Sequence, residues 1–351
     1  MTFEKKILAE MPKCYALGMF EGEDTPSFLA AVEKDGPIRR FTLDGEPLET
    51  VAPGPGGVMT ITQVPGRKDQ FLATRKFFSP NFGGDDAAIA SYTKQADGSW
   101  SEQILCDLPY VHRFGILKAA DGQLWVLACS IKGGAETGVK DDWRTPGAVW
   151  AAPLSDNLEQ YTADNQLKLT CVANYQVQNH GFWTAADKSY ALISTAAGVF
   201  RYVPPTTPQG AWDVTCLLVQ PTSDIVATDF DGDGKLEILT FSKFHGDTLA
   251  IWHEGQTRDR YEQVWCDPQK RSFLHALWAA DLNGEKCAVI GNRKDGRDLL
   301  LVRYVDGEYT VDVIDHDLGP ANCMVYRHDG SDYIVAAYRE TDQLALYKVV
   351  E

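Results

Sequence analysis

A hairpin of two short apolar strands, joined by a turn rich in glycine and aspartate, recurs along the chain. A third strand such as TLAIWHEG or DLLLVRYV follows each hairpin, and a fourth strand precedes the next unit. Five copies align: HRFGILKAADGQLWVLACS from His112, HGFWTAADKSYALIST from His180, DIVATDFDGDGKLEILTFS from Asp224, HALWAADLNGEKCAVIGN from His275 and NCMVYRHDGSDYIVAAYR from Asn322. Four-stranded units of this length are typical of β-propeller blades.

Two looser copies near Tyr15 and Val58 bring the number of unit starts to seven, at spacings of 43, 54, 68, 44, 51 and 47 residues. The last unit contains only three strands before Glu351. The N-terminal segment EKKILAEMPKCYALG has the same pattern as SEQILCDLPYVHRFG, which leads into the unit of His112. We therefore expect residues 3 to 9 to supply the fourth strand of the last blade, which closes the ring and removes its exposed sheet edges.

These observations predict an all-β fold in which residues 1–351 form a single domain, a seven-bladed β-propeller of four-stranded antiparallel blades. The formal net charge of -16 argues against a nucleic-acid or anionic-membrane partner, because phosphate-binding surfaces carry a basic excess. The N-terminus lacks the apolar core of a signal peptide, and no run of about 18 apolar residues occurs. We therefore expect a cytoplasmic protein with no membrane partner.

The hairpin turn DFDGDGKLE, residues 229–237, carries acids at alternate positions. It does not fit the twelve-residue calcium loop between helices, since the closing acid would fall on Thr240 and both flanks are strand-like. The turn resembles that of FG-GAP or VCBS-type propeller repeats, whose D-x-D-G-D-G sequence binds calcium. The resemblance implies a structural Ca²⁺ held by Asp229, Asp231, Asp233 and Glu237.

In a propeller the first residues of the inner strands line one mouth of the central channel, on the face opposite the hairpin turns. These residues are expected to be Tyr15, Val58 or Met59, His112, His180, Asp224, His275 and Asn322. Three of the seven histidines thus share one repeat position. We expect His112, His180 and His275 to be partly solvated catalytic groups, acting as base, acid or ligands of one divalent metal (Zn, Mn or Mg) that Asp224 completes. A histidine at a strand start can also simply satisfy a neighbouring carbonyl.

Basic residues follow the second strands and would surround the same mouth. We expect these residues to bind the substrate, together with Arg113, Asn322 and Trp143: Lys76, Lys132, Lys243, His245, Arg293 and Arg339. Two inserts, residues 77–86 and 136–147, add the aromatics Phe77, Phe78, Phe82 and Trp143, which can stack on sugar rings or pack the inserts. A cationic mouth in an acidic protein suits an anionic small molecule or oligosaccharide.

The histidines, Asp224 and the cations resemble the active sites of propeller-type polysaccharide lyases and of the aldos-2-ulose dehydratase propeller. The resemblance implies an enzyme that performs elimination on a uronate or keto sugar. Two alternatives stay open. One is a non-catalytic propeller that binds sugars or docks proteins, and the other is a metal-dependent sugar hydrolase or isomerase.

Overall fold

The computed structural model describes residues 1–81, 83–134 and 139–350 and contains seven antiparallel sheets of four strands each. The chain begins with strand β1 (Thr2–Glu10). The sheets are named as blades in chain order. Blade one comprises β2 Cys14–Glu21, β3 Pro26–Val32, β4 Ile38–Thr42 and β5 Pro47–Ala52. Blade two comprises β6 Ile61–Gln63, β7 Gln70–Arg75, β8 Ala88–Lys94 and β9 Trp100–Asp107.

The next three blades follow the same order from inner to outer strand. Blade three comprises β10 Val111–Lys118, β11 Leu124–Lys132, β12 Pro146–Pro153 and β13 Thr170–Gln176. Blade four comprises β14 Gly181–Thr184, β15 Ala191–Thr195, β16 Gly198–Val203 and β17 Asp213–Leu218. Blade five comprises β18 Asp224–Thr228, β19 Glu237–Ser242, β20 Thr248–Glu254 and β21 Tyr261–Cys266.

The last two blades include the closure of the ring. Blade six comprises β22 Leu274–Leu282, β23 Glu285–Asn292, β24 Leu299–Val305 and β25 Glu308–Asp315. Blade seven comprises β26 Pro320–His328, β27 Ser331–Tyr338, β28 Gln343–Val350 and β1. Strand β1 pairs antiparallel with β28, with Phe3 opposite Val349, so the predicted fold and its closure by the N-terminal strand are confirmed.

The predicted unit starts agree closely with the inner strands, and the largest difference occurs in blade two. There β6 begins at Ile61, three residues after Val58. The Thr74 hydroxyl accepts hydrogen bonds from the N–H groups of Met59 (2.6 Å) and Thr60 (3.2 Å). A side chain thus occupies the donors that the strand ladder would otherwise use, and pairing begins later.

The hydrophobic core lies between neighbouring blades, because each blade is covered by another on both faces. Leu239 and Ile251 of blade five, for example, pack with Ile290 and Leu300 of blade six. This explains why the middle strands are nearly continuous apolar runs instead of alternating ones. Inner strands of neighbouring blades contact each other around the ring. Between blades two and three, the inner strand β10 contacts β7, the second strand of blade two. Among the described residues the only helix is a 3₁₀ turn at Leu158–Gln160, and none could span a bilayer.

Deleting residues 2–10 should strongly destabilise the propeller, because β28 would lose its outer neighbour and its edge would face water. We expect an earlier thermal unfolding transition and aggregation, measured by circular dichroism and light scattering. Replacing the exposed Glu4 and Lys6 by alanine keeps the strand and serves as the control. A soluble deletion variant that melts like the control would contradict closure by β1.

Candidate functional site

Four inner strands begin with a β-bulge at the end of the channel where the first strand residues lie. In blade three, Val111 pairs with Ser130 and Arg113 with Cys129, which leaves His112 as an extra residue without a partner. The equivalent extra residues in blades one, six and seven are Tyr15, His275 and Ala321. A bulge turns the extra side chain away from the regular alternation. Three of the four bulged residues therefore have an ionisable side chain.

The carbonyl groups of the bulges are free of the strand ladder and bind side chains from neighbouring blades. The Ala321 carbonyl accepts a hydrogen bond from His275 Nδ1 at 2.7 Å. The His112 carbonyl accepts from the Thr60 hydroxyl at 3.1 Å, and the Tyr15 carbonyl accepts from Asn322 Nδ2 at 2.9 Å. These contacts join blades six and seven, two and three, and seven and one, so they fix the bulged residues relative to one another.

Four imidazoles and one phenol meet at this end of the channel, and we call them the histidine layer: Tyr15, His112, His180, His245 and His275. The ring centroids of His112 and His180 are 4.6 Å apart, and those of His180 and His275 are 5.3 Å apart. His245 lies 5.0 Å from His180 and 5.3 Å from His275 by the same measure. The predicted convergence of the three strand-start histidines is therefore present, and a fourth histidine joins them.

Hydrogen bonds to carbonyl groups set the tautomers of two of these rings. His180 Nδ1 lies 3.2 Å from the Ser223 carbonyl, and His275 Nδ1 lies 2.7 Å from the Ala321 carbonyl. A carbonyl only accepts, so both Nδ1 atoms carry the proton, and each Nε2 keeps a lone pair. The Tyr15 hydroxyl lies 3.2 Å from His275 Nε2 and 3.5 Å from His112 Nε2, and it donates to the lone pair of His275.

Burial keeps the imidazoles of the histidine layer neutral. Desolvation lowers the pKa of His180 to about 3, and it lowers the pKa values of His112, His245 and His275 well below the ordinary value. Neighbouring cationic groups, among them Arg113 and Arg293, lower them further. The same burial raises the pKa of Tyr15 to about 12 and that of Asp224 to about 6. Neutral imidazole is the form that binds a metal ion.

Three members of the layer have the geometry of a metal site. His180, His245 and His275 each offer a ring nitrogen within 4.8 Å of the other two. Within the described parts of the chain, the Nε2 atoms of His180 and His245 are buried and have no hydrogen-bond partner. His245 has a left-handed backbone conformation (φ 46°), and its N–H donates a hydrogen bond to the Ser223 hydroxyl at 3.1 Å. These two features hold its ring beside those of His180 and His275. The donor set therefore fits a divalent ion that accepts imidazole.

The expected metal set differed from this one. It contained His112, whose ring instead lies tilted against that of His180, and Asp224, whose Oδ2 lies 3.6 Å from the protonated Nδ1 of His180. The Ser223 carbonyl, which accepts the Nδ1 proton, orients the ring of His180, and Asp224 lies beside it without a hydrogen bond to the ring. His245 was expected to be a substrate-binding residue. The sequence SKFHGD shows a histidine after the second strand, but its approach to the axis depends on the loop conformation.

The expectation that the strand-start histidines are partly solvated is wrong. The exposed fractions of His112, His180 and His275 are 4%, 1% and 2%. Aromatic side chains cover them from the loop side: Phe77 lies edge-on to His112, Phe244 lies edge-on to His180, and His245 is stacked between Phe244 and Phe273. Phe82 and residues 136–138 of the predicted inserts lie outside the described residues.

The central channel is open at the opposite end instead. A cavity of about 590 Å³ begins at Met59, Thr60, Arg113, Asp224 and Asn322, below the histidine layer. It continues along the inner strands to the exposed side chains of Trp278, Asp281 and Lys286 near the hairpin turns. A ligand that enters from that end would meet Arg113 and Asp224 before the imidazoles.

Most of the predicted substrate-binding cations lie away from this channel. Arg293 and Arg339 both pair with Glu340, Arg339 also pairs with Glu33, and the Arg293 guanidinium covers Phe273. Lys132 is buried with its Nζ 4.8 Å from the ring centroid of Trp143, and Lys243 is exposed. Lys76 is half-buried and does not line the channel. Of the predicted set, Arg113 and Asn322 line the channel.

The acidic turn forms a second candidate metal site on blade five, between β18 and β19. Asp231, Asp233 and Glu237 converge there with His253 of β20, which the sequence analysis did not include. The pKa of Glu237 is raised to about 7, chiefly by burial. Both Asp229 carboxylate oxygens accept backbone hydrogen bonds, from Gly232 (2.8 Å) and Gly234 (3.1 Å). The first acid of the motif therefore shapes the turn.

Comparisons with known proteins add no relative to this picture. No protein-family model matches the chain, and no curated protein matches it at a significant level.

The histidine layer should remain neutral at pH values where exposed histidines are charged. In metal-free protein, the ring NMR signals of His180 and His275 should not titrate between pH 8 and pH 5, because burial lowers their pKa values. The exposed His316, whose pKa is raised by its hydrogen bond to Asp317, is the internal control and should titrate.

The same property predicts the pH dependence of stability. Below the ordinary imidazole pKa of about 6.5 the unfolded chain binds protons that the folded layer does not bind. The contribution of the histidine layer to the free energy of unfolding should therefore decrease as the pH falls below about 6.5. Titration of the His180 and His275 signals with midpoints near 6.5 would contradict the account.

Proposed function

We propose that this propeller is a metal-dependent lyase or dehydratase that acts on a small keto sugar or uronate. The observation that carries the proposal is the convergence of three neutral imidazoles, from His180, His245 and His275, at the closed end of a channel lined by Arg113 and Asp224. A metal site of imidazole nitrogens favours Zn²⁺ over Mn²⁺ and Mg²⁺, which prefer oxygen ligands. When bound, such an ion supplies a Lewis acid that polarises a substrate oxygen.

The channel residues have the charges that elimination requires. Arg113 donates one hydrogen bond to the Met59 carbonyl at 3.0 Å, and its guanidinium carbon lies 5.7 Å from the Tyr15 ring centroid. These contacts hold a cation at the channel wall, where it can bind the carboxylate or carbonyl group of a substrate. The same cation stabilises the negative charge that develops when the adjacent carbon loses its proton.

Asp224 is suited to act as the general base. The Asp224 carboxylate lines the channel and is held by the N–H of Ile225 at 3.1 Å. It takes the proton from the carbon next to the carbonyl or carboxylate, and the electrons of that C–H bond form a carbon–carbon double bond. The C–O bond at the next carbon breaks, and the departing oxygen takes a proton from water. The products are an unsaturated sugar and water or an alcohol.

The size and polarity of the channel favour a small substrate. A cavity of about 590 Å³ is in the usual range for small-molecule sites and has no room for a polymer to pass through the closed end. Trp183 and Trp278 lie on its wall and offer aromatic faces to sugar rings.

The proposal is tested with EDTA-treated protein that is reconstituted with Zn²⁺ or Mn²⁺ and assayed on small uronates and keto sugars. Product formation is followed by the absorbance of the conjugated double bond. Asp224→Asn should lower kcat by about 100-fold or more, the usual loss when a general base is removed. Arg113→Met should raise KM by about 10-fold or more and should also lower kcat, because Arg113 both binds the substrate and stabilises the charge that develops on it.

Asp312→Asn is the control, because Asp312 is exposed on β25 and paired with Arg303, away from the channel. It should behave like the wild type. If sugars bind to the wild type and to Asp224→Asn equally well, and no product forms, the protein is a non-catalytic sugar-binding propeller and the proposal fails.

A further inference from the structure

Three carboxylates of the acidic turn in blade five form a cluster with one imidazole. His253 Nε2 lies 3.2 Å from Asp233 Oδ2, 3.4 Å from Glu237 Oε1 and 3.9 Å from Asp231 Oδ2. The turn joins β18 to β19, whereas His253 lies on β20. Three strands of one blade therefore meet at this cluster.

Each carboxylate uses one oxygen to hold the turn and directs the other at the cluster. Asp231 Oδ1 accepts from the N–H of Asp233 at 3.0 Å, and Asp233 Oδ1 accepts from the N–H of Lys235 at 2.8 Å. Glu237 Oε2 accepts from the N–H of Phe230 at 2.5 Å. The oxygens closest to His253 are the remaining three. The turn thus presents one oxygen from each acid to a common point.

Two further observations indicate that a cation belongs at this point. Glu237 is fully buried, and its Oε1 has no hydrogen-bond partner among the residues the structure describes. A buried carboxylate oxygen without a partner is costly. In addition, His253 Nδ1 lies 2.8 Å from the Glu254 carbonyl, so Nδ1 carries a proton and Nε2 is the nitrogen that faces the acids.

In the corresponding hairpin of blade six, basic side chains pair with the acids. There Lys286 pairs with Asp281 at 2.8 Å, and Arg303 pairs with Glu285 at 3.2 Å. The acids of that turn are thus neutralised by side chains of their own blade. In blade five the side-chain nitrogen that pairs with the acids is His253 Nε2, and imidazole is a metal ligand as well as a base.

We propose that Asp231, Asp233, Glu237 and His253 bind a divalent transition-metal ion of the Zn²⁺ or Mn²⁺ class, and that this ion clamps the β18–β19 turn to β20. The imidazole decides the class of ion. Calcium takes oxygen ligands almost exclusively, whereas a mixed nitrogen and carboxylate set favours borderline ions. The calcium that the sequence motif implies is therefore the competing outcome, and the ion at this turn has no part in the reaction proposed for the channel.

The test uses full-length protein carrying His245→Ala, which removes the candidate site in the histidine layer and leaves the turn as the remaining site. After EDTA treatment it is titrated by calorimetry with ZnCl₂, MnCl₂ and CaCl₂. Zn²⁺ or Mn²⁺ should bind more tightly than Ca²⁺ and raise the melting temperature. Adding His253→Gln, which exchanges the nitrogen for an amide oxygen, should weaken Zn²⁺ binding by about 10-fold or more and should not weaken Ca²⁺ binding.

Asp281→Asn in the same background alters the matching hairpin of blade six and should leave the titration unchanged. Asp233→Asn removes an exposed ligand with little risk to folding and should also weaken Zn²⁺ or Mn²⁺ binding. Tighter binding of Ca²⁺ than of both other ions, no binding of any of the three, or unchanged Zn²⁺ affinity in the His253→Gln variant would each overturn the proposal.

Discussion

The β-bulges at the starts of four inner strands bring Tyr15, His112 and His275 to the propeller axis. Without the extra residue, the alternation of a strand would turn His112 and His275 toward a neighbouring blade. Each bulge is preceded, two residues earlier, by a residue with positive φ: Lys13 (56°), Tyr110 (59°), Phe273 (61°) and Gly319 (69°). The repeated left-handed residue sets the direction in which the strand enters the blade. Three of the five residues in the histidine layer therefore reach the axis through the same backbone conformation, which recurs with the repeat.

Closure of the ring fixes the positions of the bulged residues relative to one another. Because β1 pairs with β28, blade seven is complete, and its bulge at Ala321 can bind His275 of blade six. Asn322 of the same blade binds the Tyr15 carbonyl of blade one. The packed ring also bears the cost of burying polar atoms without partners, about 1–3 kcal/mol for each. His180 Nε2 and His245 Nε2 are two such atoms, and they lie where a ligand would satisfy them.

The fold was predictable because strand alternation and turn residues repeat with the blade, so seven starts and the swapped terminal strand follow from spacing. The approach of His112, His180 and His275 followed from the same repeat. The approach of His245 to the same site did not follow from the repeat, because it depends on the conformation of one loop. The pairing of Arg293 with Glu340 was equally hidden, since the two residues lie 47 positions apart and meet across two blades. The burial of the histidines depends on Phe77, Phe244 and Phe273, whose loops have no repeat to predict them.

The proposed function depends on the binding of one metal ion by His180, His245 and His275. X-ray absorption spectroscopy of the zinc-reconstituted His253→Gln variant, in which the turn site is weakened, tests this claim directly. We expect a first shell that contains three imidazole nitrogens at about 2.0–2.1 Å, and a shell that loses one of them in the additional His245→Ala variant. A first shell of oxygen ligands alone, or a spectrum unchanged by His245→Ala, would contradict it.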